Sequence, residues 1–262
     1  MRKKLQKLCL SAMMFAASTA VWALSEVGGV YQIASAEDLK AFAELVNAGN
    51  PGLNAVLTAD IDRGLDGTMI GCERWDYQGI FDGQGHTISN LTINGQAMFT
   101  RFAGFGDVTF KNVTFDNATV NSNGNLNTSI LTVQTYQNTL LDNVDVKNSS
   151  ITGGYKVAPL IGTVYDEKAT SITATIKNCD VSDTVVTSTS FDFGTCGMVS
   201  FVFVTNNDYV EYENCSVTNV QLRANSGGYN YHANIHYTSA DTDDQINEHP
   251  EVKVTNVTFE AL

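Results

Sequence analysis

The chain has 262 residues, of which 43% are hydrophobic, 10% aromatic and 16% charged. That is enough apolar mass for a sizeable core and excludes a disordered chain or a disulfide-stapled miniprotein. The formal charge is −13, from 15 basic and 28 acidic residues, and no run of Lys or Arg follows Lys7. This excludes nucleic acid as an electrostatic partner, excludes anionic membrane surfaces likewise, and makes an anionic polysaccharide a poor ligand.

The N-terminus reads as a secretory signal. Arg2 to Lys7 is basic, Leu8 to Ala20 is apolar, and Val21-Trp22-Ala23 places small residues where signal peptidase reads them, so cleavage is expected after Ala23. Ser11, Ser18 and Thr19 dilute a segment already short for a membrane anchor, so no membrane insertion is expected once residues 1–23 are removed. Cys9 follows Gln6-Lys7-Leu8, which lacks the small residue that precedes a lipid-modified cysteine. Cleavage leaves a more acidic chain with Cys72, Cys179, Cys196 and Cys215, which allow two disulfides in any of three pairings.

One domain is expected over 24–262. The spacing of Leu39, Phe42, Leu45 and Val46 predicts an amphipathic helix over about 35–48, started by Ser35 with Asp38 and stopped at Gly49. From about residue 53 to 262 the pattern alternates with period two, is rich in Val, Thr, Ile, Phe and Tyr, and is punctuated by Asn, Asp, Ser and Gly. The fold class is all-β with one N-terminal capping helix.

A repeat runs through the β region, written apolar, any, Asn, apolar, any, apolar. It occurs as Ile88-Ser89-Asn90-Leu91-Thr92-Ile93, around Asn112, Asn143, Asn178 and Asn214, and as Val254-Thr255-Asn256-Val257-Thr258-Phe259. The Asn to Asn steps are 22, 31, 35, 36 and 42 residues, as expected for coils with loops of adjustable length. Apolar residues change parity across each Asn, so the chain must bend there for both flanking strands to face one interior. Asn tolerates the left-handed conformation of such a bend, and the six Asn side chains are predicted to stack as a hydrogen-bonded ladder. A right-handed parallel β-helix is the expected architecture. A β-sandwich would need more hairpin turns than Asn94-Gly95 and Asn123-Gly124 supply.

These residues also carry a family resemblance. Tyr31-Gln32-Ile33, Ala36-Glu37-Asp38-Leu39, Val46-Asn47-Ala48-Gly49, Ala59-Asp60-Ile61-Asp62 and the run from Gly79 to Leu91 resemble the opening of secreted bacterial β-helix proteins that carry the GLUG motif. Pro159-Leu160-Ile161-Gly162-Thr163-Val164 resembles the motif itself, and Gly197-Met198-Val199 does so loosely. The resemblance implies a β-helix of the pectin-lyase-like kind, located outside a bacterial cell or on its surface, acting in adhesion or binding.

Catalysis is not expected. Pectin-lyase-like enzymes act with acids, or with basic residues and calcium, projecting from adjacent coils. Here Ser129 to Tyr136, Ala158 to Tyr165, Gly197 to Val204 and Ala233 to Ser239 contain no Asp, Glu, Lys or Arg, and no stacked acid pair is evident. A polysaccharide lyase or glycoside hydrolase on the same scaffold is the rival reading. The glycines of Asp82-Gly83-Gln84-Gly85-His86 suggest a tight turn opening the first coil rather than a site. His232 and His236 are too far apart along a strand to chelate one metal easily and read as surface residues. The acidic loop Asp241 to Glu248 lacks the central Gly of an EF-hand. No cofactor motif is present. Trp75 and Tyr77, with Tyr229 and Tyr231, are the candidates for stacking on a glycan or a protein ligand.

Overall fold

The computed structural model describes residues 24–65, 67–72, 76–103, 107–124, 126–165, 171–189, 194–203, 208–224, 232–233, 235–238 and 251–262. The expected signal over 1–23 therefore lies outside the described residues. The helix forms over Ala36–Asn47. The Ser35 hydroxyl accepts the Asp38 N–H at 3.1 Å, and the Asp38 carboxylate accepts the Ala34 N–H at 3.0 Å, so two donors left over at the helix start are satisfied. Leu39, Phe42, Ala43 and Val46 form the buried face. The Phe42 ring meets Tyr31, Tyr77 and Phe81 at 6.2, 6.1 and 6.2 Å, which closes the N-terminal end of the core.

Beyond the helix the strands stack in parallel as a β-solenoid. In one coil Val108–Asp116 bends at Asn112 and is followed by Thr119–Asn121 and Thr132–Thr135. The next coil repeats this with Thr139–Lys147, Ser150–Gly153 and Ile161–Val164. Each strand pairs with its equivalent one coil on: Val108 with Thr139, Thr119 with Ser150, Thr132 with Ile161. Stacking of these legs builds a large bent sheet, a second sheet after it, and a third sheet through Phe99–Phe102, Thr132–Thr135, Ile161–Val164, Val199–Val202 and Tyr237–Thr238. Rings from successive coils fill the interior near the helix, with Phe81 stacked on Phe110 at 4.8 Å and Phe99 edge-on to Phe110.

The predicted Asn ladder exists in part, as two files at two corners, each interrupted where an Asn donates to a neighbouring carboxylate instead, Asn178 to Asp142 and Asn148 to Asp116. Asn112, Asn143, Asn178 and Asn214 stand at one corner, each with φ between 51 and 58°. Asn90 and Asn256 stand at a second corner, in register with Asn117, Asn148, Asp183 and Asn219, which also have positive φ. The side-chain amides bond toward the preceding coil: Asn143 to Asn112 at 3.2 Å, Asn214 to Asn178 at 3.4 Å, Asn117 to Asn90 at 2.6 Å and Asn256 to Asn219 at 2.8 Å. The single file of six predicted from sequence is thus corrected. Both corners carry the same signature, and a step from Asn90 to Asn112 or from Asn214 to Asn256 changes corner. The true spacing at the second corner is 27 residues from Asn90 to Asn117 and 37 from Asn219 to Asn256, which removes the anomalous shortest and longest steps.

Asp82-Gly83-Gln84-Gly85-His86 lies where the register shifts between Asp82 and His86. A Cβ at Gly83 would collide with the Asn112 carbonyl and the Val113 side chain, and Gln84 and Gly85 have φ of 50 and 83°. The tight turn expected from the glycines is corrected to a bulge within one strand, Ile80–Ser89, which continues through it. The Asp82 carboxylate opens the first ladder by accepting from Asn112 at 3.0 Å. Burial alone would raise its pKa, but Asn112, the Gln84 N–H and Lys111 together hold it below the ordinary range.

Cys179 and Cys215 are neighbours in adjacent coils, fixed by the flanking pairs Lys177 with Glu213 and Asp180 with Ser216. Both are buried free thiols, stacked without a bridge. The Cys215 sulphur and then burial push the Cys179 thiol up.

Two outcomes are expected. Asn143→Leu lowers stability by about 1–2 kcal/mol more than Asn143→Gly, since both lose the amide bond but only leucine strains the left-handed bend; equal melting temperatures would contradict this corner geometry. In native thiol labelling, Cys72 reacts while Cys179, Cys196 and Cys215 react only after denaturation, as read by mass spectrometry of the peptides.

Candidate functional site

The outer surface of the third sheet is where side chains of different chemistry converge. Its strands hold Phe99 and Phe102 inward in the core and set Arg101, Gln134, Thr163, Phe201 and Tyr237 in one lateral row, of which Thr163, Phe201 and Tyr237 are themselves buried. One step further along the chain, Tyr136, Tyr165 and Phe203 form an aromatic file running from coil to coil. Tyr165 lies 6.4 Å from Tyr136 and 4.4 Å from Phe203 between ring centroids. Phe201 continues the array, 4.9 Å from Phe203 and 6.1 Å from Tyr237. Ala158, Cys196, Phe201 and Tyr237 make a small hydrophobic cluster separate from the main core, with Phe203 packed against it.

Two cations border this array. Arg101 donates to Asp76 at 2.8 Å and lies 5.5 Å from the Tyr136 ring centroid. The Lys156 ammonium sits 4.0, 4.7 and 5.3 Å from the ring centroids of Phe201, Phe203 and Tyr155, an arrangement stabilised by the negative faces of the rings. Lys156 is only 6% exposed, and burial lowers its pKa to about 8. Between the first rungs lies a groove of about 340 Å³, walled by the amides of Gln96, Asn127 and Gln134, by Arg101, and by the rings of Tyr136 and Tyr155.

No protein-family model matches the chain, and no curated protein matches it. A solved structure does. It is of a putative immunoglobulin A1 protease from Bacteroides ovatus, similar with a TM-score of 0.58 at 16% identity over 87% of this chain and 74% of that one. The likeness is one of fold: both chains are β-solenoids.

The third sheet unites strands from the four segments without charged residues and adds Phe99–Phe102, which brings Arg101. Arg101 is placed by the pairing of Phe99 with Thr132, a long-range register that its local sequence does not announce. Of the predicted stacking residues, Trp75, Tyr229 and Tyr231 lie outside the described residues. Tyr77 is corrected to a core residue. It is fully buried, packs 4.9 Å from Phe99, and its hydroxyl donates to the Leu53 carbonyl at 3.0 Å, so its ring is closed to a ligand. Burial raises its pKa. His236, read as a surface residue, is buried, with its Nδ1 3.0 Å from the Tyr212 hydroxyl; the side chain of His232 and the loop Asp241 to Glu248 lie outside the described residues. Among the described residues no group of three or more His, Cys, Asp and Glu is placed to hold a metal ion.

The folded pKa of Lys156, about 8, lies below its ordinary 10.5, so the folded chain surrenders this proton before the unfolded chain does. The cost of the buried charge is full below pH 8 and disappears as pH rises toward 10.5. Lys156→Met is therefore expected to melt higher than the parent at neutral pH, with the gap narrowing across that interval in parallel thermal scans. A gap constant with pH would show that burial does not penalise the ammonium.

Proposed function

We propose that the chain is a non-catalytic binding module, secreted or held at a bacterial cell surface, that takes a neutral glycan along the half-buried rings of Tyr136, Tyr165 and Phe203. The observation that carries this reading is the file Tyr136, Tyr165 and Phe203, with rings repeating from coil to coil. Aromatic faces suit the apolar faces of sugar rings, and the amides of Gln96, Asn127 and Gln134 supply donors and acceptors beside them. The net charge of −13 favours an uncharged ligand over a polyanion. Export is supported by the N-terminal signal pattern, and location and adhesive role by the GLUG-like segments.

The class-distinct rival is an enzyme on the same scaffold, either polysaccharide-degrading or, from the name of the structural neighbour, proteolytic. Among the described residues, those lining the groove include no pair of carboxylates and no serine or cysteine beside a histidine. The test is a panel of immobilised polysaccharides and proteins scored for retention and for product release. Retention on a neutral glycan that falls at least about tenfold in Tyr136→Ala and Tyr165→Ala, with unchanged melting, is the expected result. New reducing ends, unsaturated sugars or peptide fragments that vanish on replacing one acidic residue would overturn the non-catalytic reading.

A further inference from the structure

One interior file of the large bent sheet changes chemistry part-way along. Just past the first corner, Val113 pairs with Val144, and further on Cys215 pairs with Val252, so valine fills this position on either side of Cys179 and Cys215. The flanking pairs Lys177 with Glu213 and Asp180 with Ser216 hold the two cysteines in the same register. Their Cα atoms are therefore about one strand spacing apart, roughly 4.7–4.9 Å, which falls inside the range of about 4.4–6.8 Å that a disulfide spans. The two sulphurs are also oriented alike. The Cys179 Sγ lies 3.0 Å from the Lys177 carbonyl oxygen and the Cys215 Sγ 3.3 Å from that of Glu213, each two residues back.

Stacked in this way, the thiols are not equivalent. The Cys179 thiol donates to the Cys215 sulphur, and this bond, against the opposing effect of burial, lowers the Cys215 pKa to about 7. The same contact, together with burial, raises that of Cys179. One sulphur thus ionises near neutral pH and attacks, while the other keeps its proton until the first has reacted. Access divides them in the same order: Cys179 is fully buried and Cys215 is 4% exposed, so a reagent close to water in size reaches Cys215 first and a bulky alkylating agent reaches neither.

We propose that Cys179 and Cys215 are a modification site, a dithiol that a hydroperoxide converts into a disulfide joining two adjacent coils. The Cys215 thiolate attacks one peroxide oxygen, the O–O bond breaks, and the departing hydroxide takes up the proton that Cys215 released and leaves as water. Cys215 is then a sulphenic acid. The Cys179 sulphur attacks that sulphur, the S–O bond breaks, and the hydroxyl leaves with the Cys179 proton as a second water. Two electrons pass from the two thiols to the peroxide, and a dithiol reductant reverses the change. The coils need to draw together only slightly, since bridged Cβ atoms lie about 3.5–4.5 Å apart. The bridge links residues 36 apart in sequence and so restricts the unfolded chain.

The test exposes the folded, fully reduced chain to hydrogen peroxide, blocks the remaining thiols under denaturing conditions, and digests with a protease that cuts after Asp and Glu. Cuts after Asp180 and Glu213 put the two cysteines on separate peptides, so mass spectrometry without reductant reads the link directly. A Cys179–Cys215 link is expected, with Cys196 still free and melting at least about 5 °C above the reduced parent. Dithiothreitol should abolish both changes. Valine, which the neighbouring coils use at this position, supplies the controls: Cys179→Val and Cys215→Val should melt like the reduced parent and gain nothing from peroxide. Cys179→Val should also accumulate a sulphenic acid on Cys215 that dimedone captures, whereas Cys215→Val should leave Cys179 unoxidised. Free thiols at both positions after Cys72 has been oxidised overturn the proposal, as does a link to Cys72 or Cys196 instead, or a Cys179–Cys215 link that leaves melting unchanged.

Discussion

Everything in this fold depends on a residue that can bend the chain in the left-handed conformation and then bond to the coil before it. Each coil must turn without exposing its apolar side chains, and a positive φ resets the strand parity so that both flanking legs face inward. For residues other than glycine that conformation costs about 1–2 kcal/mol. Asn meets it at lower cost than most side chains and supplies an amide that bonds between coils, each such bond contributing about 1 kcal/mol. Glycine would permit the bend but leave the corner unlinked. The carboxylates of Asp62 and Asp82, which only accept, stand where the two ladders begin, bonded by Asn90 and Asn112.

This constraint is local, and so it could be read from the sequence. The left-handed bend needs Asn, the parity change needs apolar residues at fixed distances on both sides, and neither depends on distant contacts. The same holds for the helix, whose start is written in Ser35 and Asp38. What could not be read locally is which corner an Asn belongs to, because Asn90 and Asn112 have the same neighbours in the same pattern and only strand register separates them. At the second corner the signature also weakens, with Ser149 and Thr184 in place of an apolar residue after Asn148 and Asp183. Their hydroxyls instead bond backbone carbonyls two residues back, at 2.7 Å in each case, so a polar side chain occupies an interior position without an unpaired group.

Side chains on irregular segments were the hardest to place. Tyr77 lies outside any regular strand, and its burial follows from an isolated bridge to Phe102 and from the helix packed over it, both long-range. His236 alternates with tyrosines in sequence, and only the pairing of Tyr237 with Phe201 shows on which side of the sheet it falls. The third sheet was legible as strands, yet its character as an aromatic surface bordered by Arg101 and Lys156 emerges only when residues from five separate strands and the turns between them are brought together. Scaffold and site therefore differ in how they are encoded, one by repetition and the other by departures from it.

The amide bonds at the corners all run the same way, each Asn donating to the coil before it and none requiring the coil after. A growing chain that emerges N-terminus first already holds the helix that closes the core, and every later coil finds its acceptors waiting. Folding can then proceed vectorially, one rung at a time on a finished template, with the long-range pairing of a sixfold-stacked sheet reduced to a succession of short loop closures.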